Sequence, residues 1–123
     1  MIATNGEILG LSVSLKIDLN TRDAFQKMVQ ELKTIVAKEG PLKVLTYESY
    51  FKDKGSDECL ITETYANEEA FKTHLSLIDP VVKKYNISIN VIVFAFFGNV
   101  SEETLNTLGT AYGNKFNYYN YRV

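Results

Sequence analysis

Seven consecutive apolar residues, Val91 to Phe97, constrain this chain more than any other stretch. The run is far shorter than the ~18 apolar residues of a membrane span and has the length of a strand. Strict alternation places Val91, Val93, Ala95 and Phe97 on one face and Ile92, Phe94 and Phe96 on the other. Both faces then need cover, and the rest of the chain has to supply it.

The preceding segments read in order. Leu9, Leu11, Val13, Leu15 and Ile17 alternate with polar residues, the period of a strand. A helix capped by Asn20 or Thr21 carries Phe25, Met28, Val29, Leu32, Ile35 and Val36 on one stripe and stops at Gly40-Pro41. Val44 to Phe51 and Glu58 to Tyr65 form a hairpin around the turn residues Asp53 to Asp57. Asn67 caps a second helix, with Glu68 and Glu69 suited to its dipole, and Asp79-Pro80 is expected to break or restart it. Ile87 to Phe97 closes the series as strand four.

The order is βαββαβ, so the fold class is α+β: a ferredoxin-like antiparallel sheet with both helices on one face. Two helices cover only that face. A second sheet must cover the other, most economically from an identical chain, so a homodimer is expected. The chain of 123 residues reads as one domain, with a core of about residues 8–97 and an appendage over 98–123. In that appendage Ser101-Glu102-Glu103 opens a short helix carrying Leu105 and Leu108. The aromatic tail Phe116 to Tyr121 is expected to add an edge strand or to pack on the partner.

Several function classes drop out. A net charge of −2, with Lys83-Lys84 the one adjacent basic pair, does not suit nucleic acid. No apolar run is long enough for a membrane, and Met1 to Gly6 lack the basic, then apolar, opening of a secretion leader, so a cytoplasmic protein is expected. Cys59 is the only cysteine, which excludes an internal disulfide and a thiolate cluster. One histidine cannot make a two-histidine iron triad, and no nucleotide-binding or zinc-protease motif occurs; no metal and no cofactor are expected.

That histidine, His74, is the candidate catalytic residue. With Phe71, Leu75 and Ile78 at i, i+4 and i+7, it takes the i+3 place on the apolar stripe and points toward the core. A desolvated imidazole there is either a satisfied core residue or part of a polar pocket. Tyr47, Tyr50 and Tyr65 on the hairpin are candidates to orient a phenolic oxygen, and Glu63 to set the imidazole tautomer. Each can equally be a packing or solvent-facing residue. Ser14 and Asn90, polar within apolar strands, are weaker candidates.

Glu39-Gly40 at the end of helix one, Tyr47, and Glu63-x-Tyr65 followed by Glu69-Ala70-Phe71-x-x-His74 resemble the antibiotic biosynthesis monooxygenase family of dimeric α+β barrels. The resemblance implies a pocket between sheet and helices, with Phe71 among its ligand-binding residues. It also implies a cofactor-independent monooxygenase that oxidises small electron-rich aromatics of quinol, anthrone or polyphenol type with dioxygen. Two other family roles stay open: haem binding or degradation with His74 as axial ligand, and a non-enzymatic barrel that binds a small apolar molecule or a protein. The absence of tryptophan weakens the haem reading.

Overall fold

A computed structural model describes residues 8–121 and 123. The reading of Met1 to Gly6 lies outside the described residues. The elements are β1 (Leu9–Ile17), α1 (Arg22–Glu39), β2 (Val44–Phe51), β3 (Glu58–Tyr65), α2 (Glu68–Tyr85), β4 (Ile89–Gly98), α3 (Glu102–Tyr112) and β5 (Phe116–Tyr119). Single 3₁₀ turns precede α1 and β5. The strands form one sheet in the order β2-β3-β1-β4-β5. The first four pair antiparallel, as the ferredoxin-like order requires, and β5 adds to the edge parallel to β4. The tail therefore supplies the edge strand. No helix among the described residues is long and apolar enough to cross a membrane.

The inner sheet face holds Leu9, Leu11, Val13, Leu15 and Ile17 of β1, all buried, packed against Phe25, Met28, Val29 and Leu32 of α1 and Phe71 of α2. Thr21 sits at the N-cap of α1 but donates its hydroxyl to the Asp18 carbonyl at 2.7 Å instead of accepting from the helix. Asn67 caps α2 by accepting from the Ala70 N–H at 2.9 Å. At the far end of the pair, Glu31 of α1 accepts from both Lys84 and Tyr85 of α2, which fixes the two helices against each other.

Two expectations are corrected. The β1/β4 register shifts between Ser14 and Leu15, which pair with Val93 and Val91, so Ile92 is an extra residue. A bulge of one residue inverts the parity of everything after it. Phe94 and Phe96 thus join Ile89 and Val91 on the inner side, while Val93 and Phe97 are turned outward and left about two-fifths exposed. Strict alternation had put Val91 on the side of Val93 and Phe97. Second, α2 runs through Pro80 without a break. Proline forfeits one hydrogen bond and its site is exposed, whereas Phe71 and His74 before it and Ile78, Val81 and Val82 around it stay packed on the core side. The packing outweighs the lost bond.

Gly10 is required by a close approach. A Cβ there would run into the Phe97 ring edge and lie 2.9 Å from the Glu63 carbonyl oxygen. Gly40, with φ of 94°, ends α1 in a conformation that side chains rarely adopt, and its N–H closes on the Val36 carbonyl. That stop leaves Glu39 as the last residue of α1, facing α2.

Candidate functional site

The Glu39 carboxylate accepts from Nδ1 of His74 at 2.8 Å, across 35 residues of sequence. Both side chains are enclosed, His74 fully and Glu39 with 5% of its side chain exposed. A carboxylate can only accept, so it fixes the proton on Nδ1 and leaves Nε2 as a bare acceptor. Nε2 is buried and has no hydrogen-bond partner. The polar atom it faces is Oε1 of Glu63, 4.0 Å away and just beyond bonding distance. The carboxylate that sets the tautomer is thus Glu39, not Glu63 as the sequence suggested.

Glu63 and Tyr65 lie two apart on β3 and so share the inner face, and Tyr47 of β2 pairs directly across from Glu63. The Tyr65 hydroxyl donates to Oε1 of Glu63. The Tyr47 ring stands edge-on to the imidazole at 5.4 Å, and the Tyr65 ring tilts against it at 5.5 Å. Phe71, one turn before His74, packs on Tyr65 and on Phe96, each at 5.3 Å. Of the eight candidates the structure brings five together, His74, Tyr47, Glu63, Tyr65 and Phe71. Tyr50, three residues from Tyr47, falls on the opposite face by the period of two, 56% exposed and away from this cluster. Ser14 and Asn90 are likewise off the inner face, and Asn90 accepts from Lys115.

Between this cluster and the helices is a cavity of about 280 Å³. Its walls are apolar residues of the sheet, α1 and α2, joined by Leu108 and Tyr112 of α3; the polar members are Tyr47, Glu63 and Tyr112. Leu75 lines it and is also 42% exposed, which marks where the cavity meets the surface. His74 does not line the cavity, because Glu63 and Tyr47 stand in front of it.

Burial pushes the Glu63 carboxyl above its ordinary value, although the Tyr65 hydrogen bond and the imidazole pull the other way; Glu39 adds to the rise. Burial also raises the Tyr47 and Tyr65 phenols, helped by the charge of Glu63, so both remain neutral donors. The three groups stand in line, with a carboxyl at the cavity wall, an imidazole acceptor behind it and a carboxylate behind that. Among the described residues, no three His, Cys, Asp or Glu side chains are grouped to hold a metal ion.

Sequence reasoning gave Glu39 no role and missed Tyr112. The signal for Glu39 was its place before Gly40 at a helix end; for Tyr112 it was one more aromatic on the helix of Leu105 and Leu108.

No family model and no curated protein matches the sequence. Solved structures match the fold. MupZ from Pseudomonas fluorescens superposes with a TM-score of 0.72 at 15% identity, over 95% of this chain and 92% of that one. A protein of Caulobacter crescentus, provisionally named an antibiotic biosynthesis monooxygenase, gives 0.62 at 17% identity over 79% and 93%. Another of that provisional name, from Chloroflexus aurantiacus, gives 0.60 at 20% identity over 76% and 94%. The chain has an antibiotic biosynthesis monooxygenase-like fold. Residues 1–98 are about four-fifths of the 123, so the match to MupZ necessarily extends into the appendage.

Proposed function

We propose that this chain is a cofactor-independent monooxygenase of small electron-rich aromatics, using the Glu63, His74 and Glu39 relay as its base. One observation carries the reading: a buried, carboxylate-held imidazole whose free nitrogen faces the carboxyl at the wall of an apolar cavity. Neighbours of the same fold that are provisionally named monooxygenases support it.

Triplet dioxygen reacts slowly with closed-shell molecules, but the anion of a phenol or anthrone donates an electron to it readily. The protein has to bind the ring, take the proton and keep water away. Glu63 accepts the ligand proton, and burial makes its carboxyl a stronger proton acceptor than a carboxylate in water. Closing the 4.0 Å gap passes that proton to Nε2 of His74, where the Glu39 carboxylate stabilises the resulting imidazolium. The ligand anion gives one electron to dioxygen, the radical pair combines to a peroxide anion, and that anion takes the proton back from the imidazolium through Glu63, which restores the base. For an anthrone, loss of water then leaves the quinone, with one oxygen atom in the product and the other in water. Tyr47 donates to the ligand oxygen. Haem ligation suits the site less, because Nε2 is shut behind Glu63, Tyr47 and Tyr65.

Oxygen uptake against hydroquinones, anthrones and flavonols tests the proposal. Uptake above the spontaneous rate is expected for the native chain and not for His74→Ala. Uptake that is unchanged in His74→Ala makes the histidine structural. A ligand-filled cavity with no uptake on any compound makes the chain a binding module.

The same reading includes a homodimer. Tyr50, Leu60, Val93 and Phe97 are exposed on the sheet face opposite the helices. Apolar side chains gathered there suit a second sheet. Light scattering is expected to give twice 13.9 kDa, and Phe97→Lys to shift the chain to monomer. A native chain that is monomeric at micromolar concentration removes this part.

A further inference from the structure

Five tyrosines are not exposed: Tyr47, Tyr65, Tyr85, Tyr112 and Tyr118. Three of these place their hydroxyl on an acceptor: Tyr65 on Glu63, Tyr85 on Glu31 and Tyr118 on the Gly98 carbonyl. The other two, Tyr47 and Tyr112, meet no partner among the described residues, and both line the cavity that Glu63 lines. Both side chains are half-buried, so each phenol presents a free donor to the cavity, where a ligand oxygen can replace water as its acceptor.

Tyr112 is held there by design of the appendage. At the start of α3, Ser101 caps the helix, and the hydroxyls of Ser101 and Thr104 donate to Glu68 of α2 at 2.7 and 2.8 Å. Leu108 is buried one turn before Tyr112 and so shares its face of α3. The Tyr112 ring packs on Phe94 at 4.6 Å, and β5 then binds the edge of β4. The helix is thus pinned at both ends, and the phenol has little freedom to leave the wall.

We propose that α3 is the ligand-selecting element of this chain, with Tyr112 donating a hydrogen bond to the ligand oxygen beside Glu63 and Leu108 limiting the size of the ligand's apolar body. The inference rests on the proposed function and names its ligand class further: a neutral fused-ring molecule with an oxygen at one end. A ligand oxygen that accepts from both phenols is favoured as its anion over its protonated form, as in an oxyanion site. Burial and the charge of Glu63 keep the Tyr112 phenol protonated and able to donate. A ligand carrying its own carboxylate fits badly, since Glu63 shares the wall and the remaining wall is apolar.

Binding of 1-naphthol, naphthalene and anthrone, followed by ligand fluorescence, tests this without turnover. The native chain is expected to bind 1-naphthol more tightly than naphthalene. Tyr112→Phe is expected to weaken 1-naphthol about tenfold and leave naphthalene unchanged, the affinity expected of one lost hydrogen bond in an apolar site. Leu108→Phe is expected to weaken anthrone at least tenfold while sparing 1-naphthol. Equal loss of both naphthalenes in Tyr112→Phe, or no loss of either, overturns the role of Tyr112; oxygen uptake retained in that variant then leaves the proposed function standing. A native chain that binds none of the three probes overturns both.

Discussion

Glu39→Gln is expected to lower turnover on the aromatic panel by on the order of 10²–10⁴-fold while the fold stays in place. The amide has the shape of the carboxylate but not its charge, and the imidazole would lose the partner that stabilises its protonated form. It also presents an N–H₂ group. Donation from that group to Nδ1 would move the imidazole proton to Nε2, which would then aim a donor at Glu63 where the relay needs an acceptor. Because Glu39 is not part of the cavity wall, the dissociation constant of 1-naphthol is expected to stay within about twofold, so the loss falls on kcat and not on binding. A kcat equal to that of the native chain would reduce Glu39 to a structural acceptor. Glu39→Ala is the harsher change: it strands Nδ1 of a fully buried ring and costs about 1–3 kcal/mol of stability, read as a lower urea midpoint.

That pair shows where sequence reading stops. The inward direction of His74 follows from local spacing, and the structure has it fully buried. Its partner lies on another helix, 35 residues back, and becomes a partner only when α1 and α2 pack. The hairpin was legible to the residue, because two alternating runs flank a cluster of turn formers. The bulge in β4 was not, since in a run where every residue is apolar a slip of one place leaves no mark in the pattern. Tyr50 is different: its distance of three from Tyr47 already put the two on opposite faces. Pro80 failed as a helix breaker for an energetic reason, because the packed stripe on both sides of it outweighs one missing bond. Tyr112 sits in a segment whose own composition says only that it is aromatic, and its position depends on Glu68 anchoring α3.

Glu63→Gln is expected to abolish turnover and, at neutral pH, to make the protein more stable. The folded state holds the Glu63 carboxyl above its unfolded value, chiefly through burial. A group so placed binds its proton more tightly folded than unfolded. Its contribution to stability is complete below the unfolded value, about 4.3, and is lost as the pH rises from there through the folded one. Glu68 runs the other way. Its partial burial pushes it up, but hydrogen bonds from Ser101, Thr104 and Lys72 together outweigh that and bring it down to about 2. It adds stability above its unfolded value that disappears as the pH falls toward 2. The native chain should therefore gain stability from pH 2 to about 4.5, then lose part of it as Glu63 ionises inside the fold. In Glu63→Gln the acidic rise remains and the later decline is gone. The gap at pH 8 is on the order of 1 kcal/mol or more, or roughly 3 °C or more in Tm, closing below pH 4. Urea midpoints across pH 3–8 check it, and parallel curves for the two proteins would show that burial of this carboxyl costs the fold nothing. The expected crossing of a stability gain with a loss of chemistry is the mark of a charge kept inside the protein for what it does there.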